Sequence, residues 1–408
     1  MRDQFLSFVL LLIFLSASVN VLASDADTTK QERFRKSIGF YYGLGPVVQT
    51  HAFVKGENPN NEAYGIYQGI SLQYGIHTDG RKSWHQLYGY PVWGFGLYQG
   101  FFMNDYDELG NPSAVYMFID LPLKTWKKWS LDYEMGFGIA FNWNRHDLRE
   151  SQYYYPIGSF GTVFIDGAFN AKIPLGKYFN LTAGLTYTHF SNGAVKLPNL
   201  GVNMVGARVE LQYIFKERPE FIHKEIPKYL KEWEWIALLA PSMRQVGFDY
   251  IIENGDTLAR AFDYGILSFS TTFNRQISHK IKFGVGGDIS YNEAYGADTL
   301  MVNGVPEKAP FKTINKILIG IYPSFELVLG KLSMIAQPGF YVYQKDIDGF
   351  AAPSTYQRIG VKYNFWNHLV VGINIRAVNF SVADFIEWNI GYRIKWQKSY
   401  RDKGESRQ

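Results

Sequence analysis

Three observations predict an all-β chain folded as an antiparallel transmembrane β-barrel. Apolar and polar residues alternate with period two over most of the length. The composition is rich in aromatics and glycine, and beyond residue 23 no apolar run could cross a bilayer as a helix. Aromatic residues make up 17% of the 408, with Tyr 29, Phe 31, Trp 10 and Gly 39. That mixture is expected where one face of each strand meets lipid and the other a polar interior. A mean hydropathy of -0.16 averages over both faces and conceals the apolar one. The net charge of +4 is small and dispersed, which argues against nucleic acid as a partner.

Taken in order, the chain opens with Met1 and Arg2 before an apolar run from Phe5 to Val19 that ends at Val21-Leu22-Ala23-Ser24. This reads as a secretory signal peptide over residues 1–23, too short and wrongly flanked for an anchor. No cysteine follows it, so a lipidated N-terminus is not expected, and an exported chain with Cys 0 must be stable without disulfides. About sixteen alternating segments follow, separated by Gly, Pro, Asn and charged turns. The clearest sets Trp129, Leu131, Tyr133, Met135, Phe137, Ile139, Phe141 and Trp143 against Ser130, Asp132, Glu134, Gly136, Gly138, Ala140 and Asn142.

A soluble sandwich would show the same alternation, but two features favour a membrane barrel. Aromatics cluster at segment ends, as at Trp126 and Trp129 and at Trp143 with Tyr153, Tyr154 and Tyr155, where interfacial belts would lie. Connections also alternate between tight turns, at 123–128 and 174–177, and longer polar loops at 55–63, 104–113, 144–155 and 193–202. Short periplasmic turns and long outer loops give that rhythm.

Residues 216–232, charged and with two prolines, read as a linker between a first barrel over 24–215 and a second over 233–396, with a polar tail at 397–408. The halves look like a duplication: residues 184–191 can be laid on residues 372–379, with Ala377 and Asn379 where the first half has His189 and Ser191. Two tandem eight-stranded barrels are expected, with one sixteen-stranded barrel as the alternative. Successive inward Gly136, Gly138 and Ala140 suit the narrower bore.

The chemistry concentrates between Tyr187 and Asn203. His189 and Ser191, two residues apart, share one face of a strand at the end of the apolar row Phe179, Leu181, Ala183, Leu185, Tyr187. Asn203 begins the next apolar row, continued by Val205, Ala207, Val209, Leu211 and Tyr213. If the two segments form a hairpin, then His189, Ser191 and Asn203 lie on one face near one end, as base, nucleophile and base-orienting group do.

The ordered set His189-x-Ser191-Asn192 followed by Pro198-Asn199-x-Gly201 resembles the signature of the lipid A 3-O-deacylases, the PagL-type outer-membrane esterases. The resemblance covers the first half of the chain. It implies Ser191 as nucleophile, His189 as general base, and Asn192 with Asn199 at the oxyanion site. It also implies no cofactor and no metal, lipid A of lipopolysaccharide as substrate, and the outer membrane of a Gram-negative bacterium as the location. The sequence departs from the family at Asn203, where the family has glutamate. Arg145, Arg149 and Lys196, in outer loops, are candidates for meeting lipid A phosphates. The competing expectation is a catalytically dead barrel serving as pore or scaffold. The remaining histidines, His51, His77, His85, His146, His223, His279 and His368, lack metal-ligand spacing and are expected in turns or at interfaces.

Overall fold

Alternation leaves each strand with one face that must meet something apolar and one that must find polar partners, and closure into a barrel supplies both while removing unpaired edges. The computed structural model describes residues 35–103, 108–146, 155–216, 218, 220–226, 228–251, 257–365, 368–379 and 382–397. The expected signal peptide, the tail beyond residue 397, Arg149, Tyr153 and Tyr154 lie outside them.

Strands β1 (Lys36–Pro46), β2 (Ile66–His77), β3 (Val92–Phe102), β4 (Gly110–Thr125), β5 (Ser130–Trp143), β6 (Thr162–Leu175), β7 (Phe179–Ser191) and β8 (Val202–Ile214) pair antiparallel in sequence order. β8 closes on β1 from Ser37↔Ile214 to Leu44↔Ala207. The second half gives β9 (Glu232–Ile251), β10 (Thr257–Gln276), β11 (Ile281–Asn292), a small loop hairpin of β12 (Thr299–Val302) and β13 (Val305–Lys308), then β14 (Ile317–Leu329), β15 (Leu332–Tyr343), β16 (Thr355–Asn364), β17 (Leu369–Val378) and β18 (Val382–Gln397). Apart from the loop hairpin these close as a second eight-stranded barrel, β18 returning to β9. Two barrels therefore form, and the sixteen-stranded alternative is excluded. Two short helices, α1 (Ala52–Lys55) and α2 (Ser83–Leu87), lie in the loops after β1 and β2.

Both bores are filled. In the first, Arg208 spans Glu134 (2.9 Å) and Asp166 (3.3 Å), and Lys172 spans Asp120 and Asp132 (2.6 Å to the latter). In the second, Lys282 joins Glu234 and Glu326, while Arg358 and Arg376 both contact Asp288 and Glu387. Charges taken from water must be paired in this way, and the alternate positions that carry them here all point inward. Outward rows are apolar, including Phe40, Leu72, Leu97, Leu185 and Val209 on the first barrel and Phe269, Val285, Ile321 and Ile359 on the second, all exposed to what surrounds the wall.

Two aromatic expectations are corrected. Trp143 does not join an outer belt. Asn142 adopts φ 66°, which breaks the alternation, so Trp143 is buried, its indole Nε1–H donating to Thr162 Oγ1 at 3.0 Å. Tyr155 is also buried, stacked on His146 with ring centroids 3.3 Å apart and tilted against Phe53 at 4.8 Å. Together with Phe102, Tyr64, Ile157 and Phe190 they cap the first barrel's loop end. The loop aromatics found each other there, because a barrel mouth offers apolar cover that solvent does not. Trp126 and Trp129, by contrast, stack at 4.1 Å on the surface of the β4–β5 turn.

The barrels touch at both ends. At the turn end, Tyr88 and Leu121 of the first pack on Leu329 of the second, and Tyr88 O–H donates to the Val328 carbonyl at 2.7 Å. At the loop end, β9 and β10 outrun their neighbours: their mutual pairing reaches Ile251↔Thr257, whereas β9 leaves β18 at Leu239↔Ile390. The upper parts of β9 and β10 thus stand as a two-stranded ribbon, whose β9 edge lies beside the loop after β7.

Candidate active site

The β7–β8 hairpin sets the site by register. His189 pairs directly with Asn203, the two residues opposing each other across the ladder. Because β7 alternates outward at odd positions, Leu185, Tyr187 and His189 share the outer wall while Thr186, Thr188 and Phe190 fill the bore. Ser191, the last residue of β7, is buried under the loop that follows it.

His189 Nδ1 lies 2.6 Å from Asn203 Oδ1, and His189 Nε2 lies 2.9 Å from Ser191 Oγ. The amide of Asn203 is oriented by two further bonds: Tyr187 O–H donates to Oδ1 at 2.6 Å, and Nδ2 donates to Thr50 Oγ1 at 3.3 Å. An oxygen facing His189 fixes the tautomer. Nδ1–H donates to Asn203, which leaves the Nε2 lone pair for the Ser191 hydroxyl proton. The three candidates form one hydrogen-bonded series, on the wall and at the loop end.

Gly201, with φ 70°, lets the backbone pass close to this pair. A Cβ there would stand 3.0 Å from the Phe190 carbonyl oxygen and 3.4 Å from His189 Cε1. The Gly201 carbonyl accepts from His51 Nε2–H at 2.9 Å. Burial holds the His51 imidazole below its ordinary pKa, with the charge of Lys55 adding to the effect and the bond to Gly201 opposing it.

Asn192 and Asn199 both bind within the loop. The Asn192 backbone N–H donates to Asn199 Oδ1 at 2.8 Å, and Asn192 Nδ2 donates to Ser159 Oγ at 3.0 Å and to the Lys196 carbonyl at 2.7 Å. The Asn192 amide nitrogen is thus engaged in holding the loop. Lys196 is half-buried in the same loop, and Arg145 is exposed after β5. Sequence reasoning missed Tyr187, Thr50 and His51. Tyr187 was readable as a polar tip two residues before His189, but only pairing reveals that it is diagonal to Asn203. Thr50 and His51 come from a distant loop with no local signal.

Closed barrels with paired, filled bores and apolar outer walls define an outer-membrane β-barrel protein. Residues 68–212 match the family model of lipid A 3-O-deacylase (PagL), and residues 233–396 match that of the acyloxyacyl hydrolase C-terminal domain. Over those residues the first barrel is similar to the lipid A 3-O-deacylase family, and the place of the chain is the outer membrane of a Gram-negative bacterium. No curated protein matches the sequence. Similar solved structures include a TodX monoaromatic hydrocarbon channel mutant (10% identity, 89% of this chain and 88% of that chain, TM-score 0.19). A Rhodopseudomonas blastica porin mutant (10%, 88% and 100%, TM-score 0.18) and the Pseudomonas putida toluene transporter TodX (9%, 90% and 89%, TM-score 0.17) are comparable. Likenesses this slight leave the argument to the barrels themselves.

Proposed function

We propose that the protein is an esterase that removes a 3-hydroxyacyl chain from lipid A of lipopolysaccharide by a Ser/His mechanism. The observation that carries this reading is the Ser191–His189–Asn203 hydrogen-bonded series, set on the lipid-facing wall of a barrel from a deacylase family. His189 Nε2 takes the Ser191 proton as Oγ attacks the ester carbonyl. The same imidazolium then protonates the departing sugar oxygen, and a water activated by His189 releases the fatty acid.

Asn203 holds the imidazole but brings no charge, so turnover is slower than a carboxylate would give. Asn192 and Asn199 serve the oxyanion site by shaping the loop that follows Ser191. Arg145 and Lys196 take the phosphates of the lipid headgroup. The second barrel, with Ala377 and Asn379 in the places of the catalytic pair, is a duplicated copy that has lost the chemistry.

The pore reading is disfavoured by the ion-paired bores. Expression in a host with unmodified lipid A is expected to yield lipid A lighter by one 3-hydroxyacyl chain by mass spectrometry, and Ser191→Ala to abolish that product. Unchanged lipid A from a folded, surface-exposed protein would overturn the proposal.

A further inference from the structure

The loop that follows Ser191 does not rest on the first barrel alone. Its inner side is held by residues 155–161, through the Gly158 N–H to the Pro198 carbonyl (2.8 Å) and the Leu200 N–H to the Pro156 carbonyl (3.0 Å). Its other side is held by the second barrel. On the open edge of the β9 ribbon, the Gln245 N–H donates to the Ala194 carbonyl at 3.1 Å, and Gln245 Oε1 accepts from the Leu197 N–H at 2.8 Å. Gln245 Nε2 donates in turn to Asp263 Oδ1 on β10 at 2.9 Å, which fixes which end of the amide faces the loop.

Below this clamp, Ile386 of β18 lies on the outward row with Trp388 and Ile390. Those two are 44% and 52% exposed, whereas Ile386 is 6% exposed. The cover is the loop: a Cβ on Gly193 would come 2.5 Å from Ile386 Cγ1. Gly193 stands two residues after Ser191 with φ 62°. The loop and the second barrel are therefore in contact at the point where the backbone leaves the nucleophile.

We propose that Gln245 is a positioning residue for the esterase, and that the second barrel acts in catalysis as the buttress that holds residues 192–201 against Ser191. The inference rests on the esterase reading for its catalytic half. Its physical basis is general: a strand edge beyond the rim presents unpaired N–H and C=O groups, and a loop laid along that edge is ordered by them. A site whose donors sit on such a loop loses rate when the loop shifts, since a misplacement of about 1 Å can cost on the order of a hundredfold. Degeneration of the second copy's own site is compatible with its retention, because the ribbon and not that site meets the first barrel.

The test uses the full chain in detergent micelles with purified lipid A. Gln245→Glu sets two carboxylates against each other at Asp263 and is expected to lower kcat by roughly tenfold to a hundredfold with little change in KM. The exchange Gln245→Glu with Asp263→Asn restores the bond with donor and acceptor reversed, the new amide at 263 donating to the new carboxylate at 245 while that carboxylate's other oxygen still accepts from the Leu197 N–H, and is expected to restore most of kcat. A purely architectural role for Gln245 would alter barrel stability without that reciprocal rescue. Wild-type kcat in Gln245→Glu, or no recovery in the double variant while the folded-barrel gel mobility is retained, would overturn the positioning role.

If the wild type hydrolyses no lipid A and matches Ser191→Ala, the esterase reading falls and the catalytic half of the inference with it. Amide exchange across residues 192–201 then decides the buttress: faster exchange in Gln245→Glu than in wild type supports it, and equal exchange overturns it.

Discussion

Replacing Asn203 by Asp tests the hydrogen-bonded series most directly, because it changes charge while keeping shape. Asn203 Oδ1 already accepts from His189 and from Tyr187, both at 2.6 Å, and the Thr50 hydroxyl, now the acceptor of Nδ2, can rotate to donate instead. The aspartate thus finds three donors and needs no rearrangement. A hydrogen bond to a charged acceptor is worth about 1.5–3 kcal/mol against about 1 for a neutral pair. The extra stabilisation of the imidazolium in the transition state is therefore about 1–1.5 kcal/mol, and kcat should rise roughly tenfold. The much larger effect known for a serine protease, about ten-thousandfold, includes loss of the correct tautomer. Here Tyr187 and Thr50 already orient the asparagine oxygen toward His189. Release of 3-hydroxy fatty acid from lipid A in micelles, followed under saturating substrate, measures the change, with Asn203→Ala expected to fall below wild type. A folded Asn203→Asp protein with unchanged or lower kcat would refute the assignment of Asn203 as the group that steadies the base.

Three further outcomes follow from the same geometry. His51 is held neutral by burial, so the unfolded chain takes up a proton that the folded chain refuses. Stability should be fully present above about pH 6.5 and decline as pH falls below it; the pH dependence of the urea midpoint should be shallower in His51→Gln, which keeps a donor for Gly201. Arg208→Met should strand Glu134 and Asp166 inside the first bore and destabilise that barrel by about 3–5 kcal/mol, read from the temperature at which the heat-modifiable gel band shifts. Gly193→Ala should cost about 1–2 kcal/mol from the left-handed backbone alone and, by pushing against Ile386, should lower kcat more than it lowers the melting temperature.

Much of the fold was legible because a barrel imposes period two on every strand. The rows on β5, β7 and β8 could be read directly. The meeting of His189 with Asn203 was legible for the same reason, since two rows joined by one loop have a limited choice of register. What period two cannot show is where it breaks. Asn142 turns its backbone and sends Trp143 into the mouth, and the aromatics around Tyr155 gather there instead of forming a belt. Nor does alternation reveal contacts between barrels. Gln245 sits in an ordinary-looking strand, and its use comes from β9 running past its neighbour, which only pairing lengths disclose. The partition into two barrels rather than one depended on which strand β8 rejoined, a long-range choice that local pattern does not encode.

A hydroxyl mounted on the outer wall and not in the bore has a consequence for kinetics. Under the proposed esterase its lipid reactant would arrive by diffusion within the leaflet, in two dimensions, so velocity should follow the mole fraction of substrate among surrounding lipids and not its molar concentration in the sample. Diluting the bilayer with inert phospholipid would slow the reaction at constant volume, whereas adding buffer would leave it unchanged.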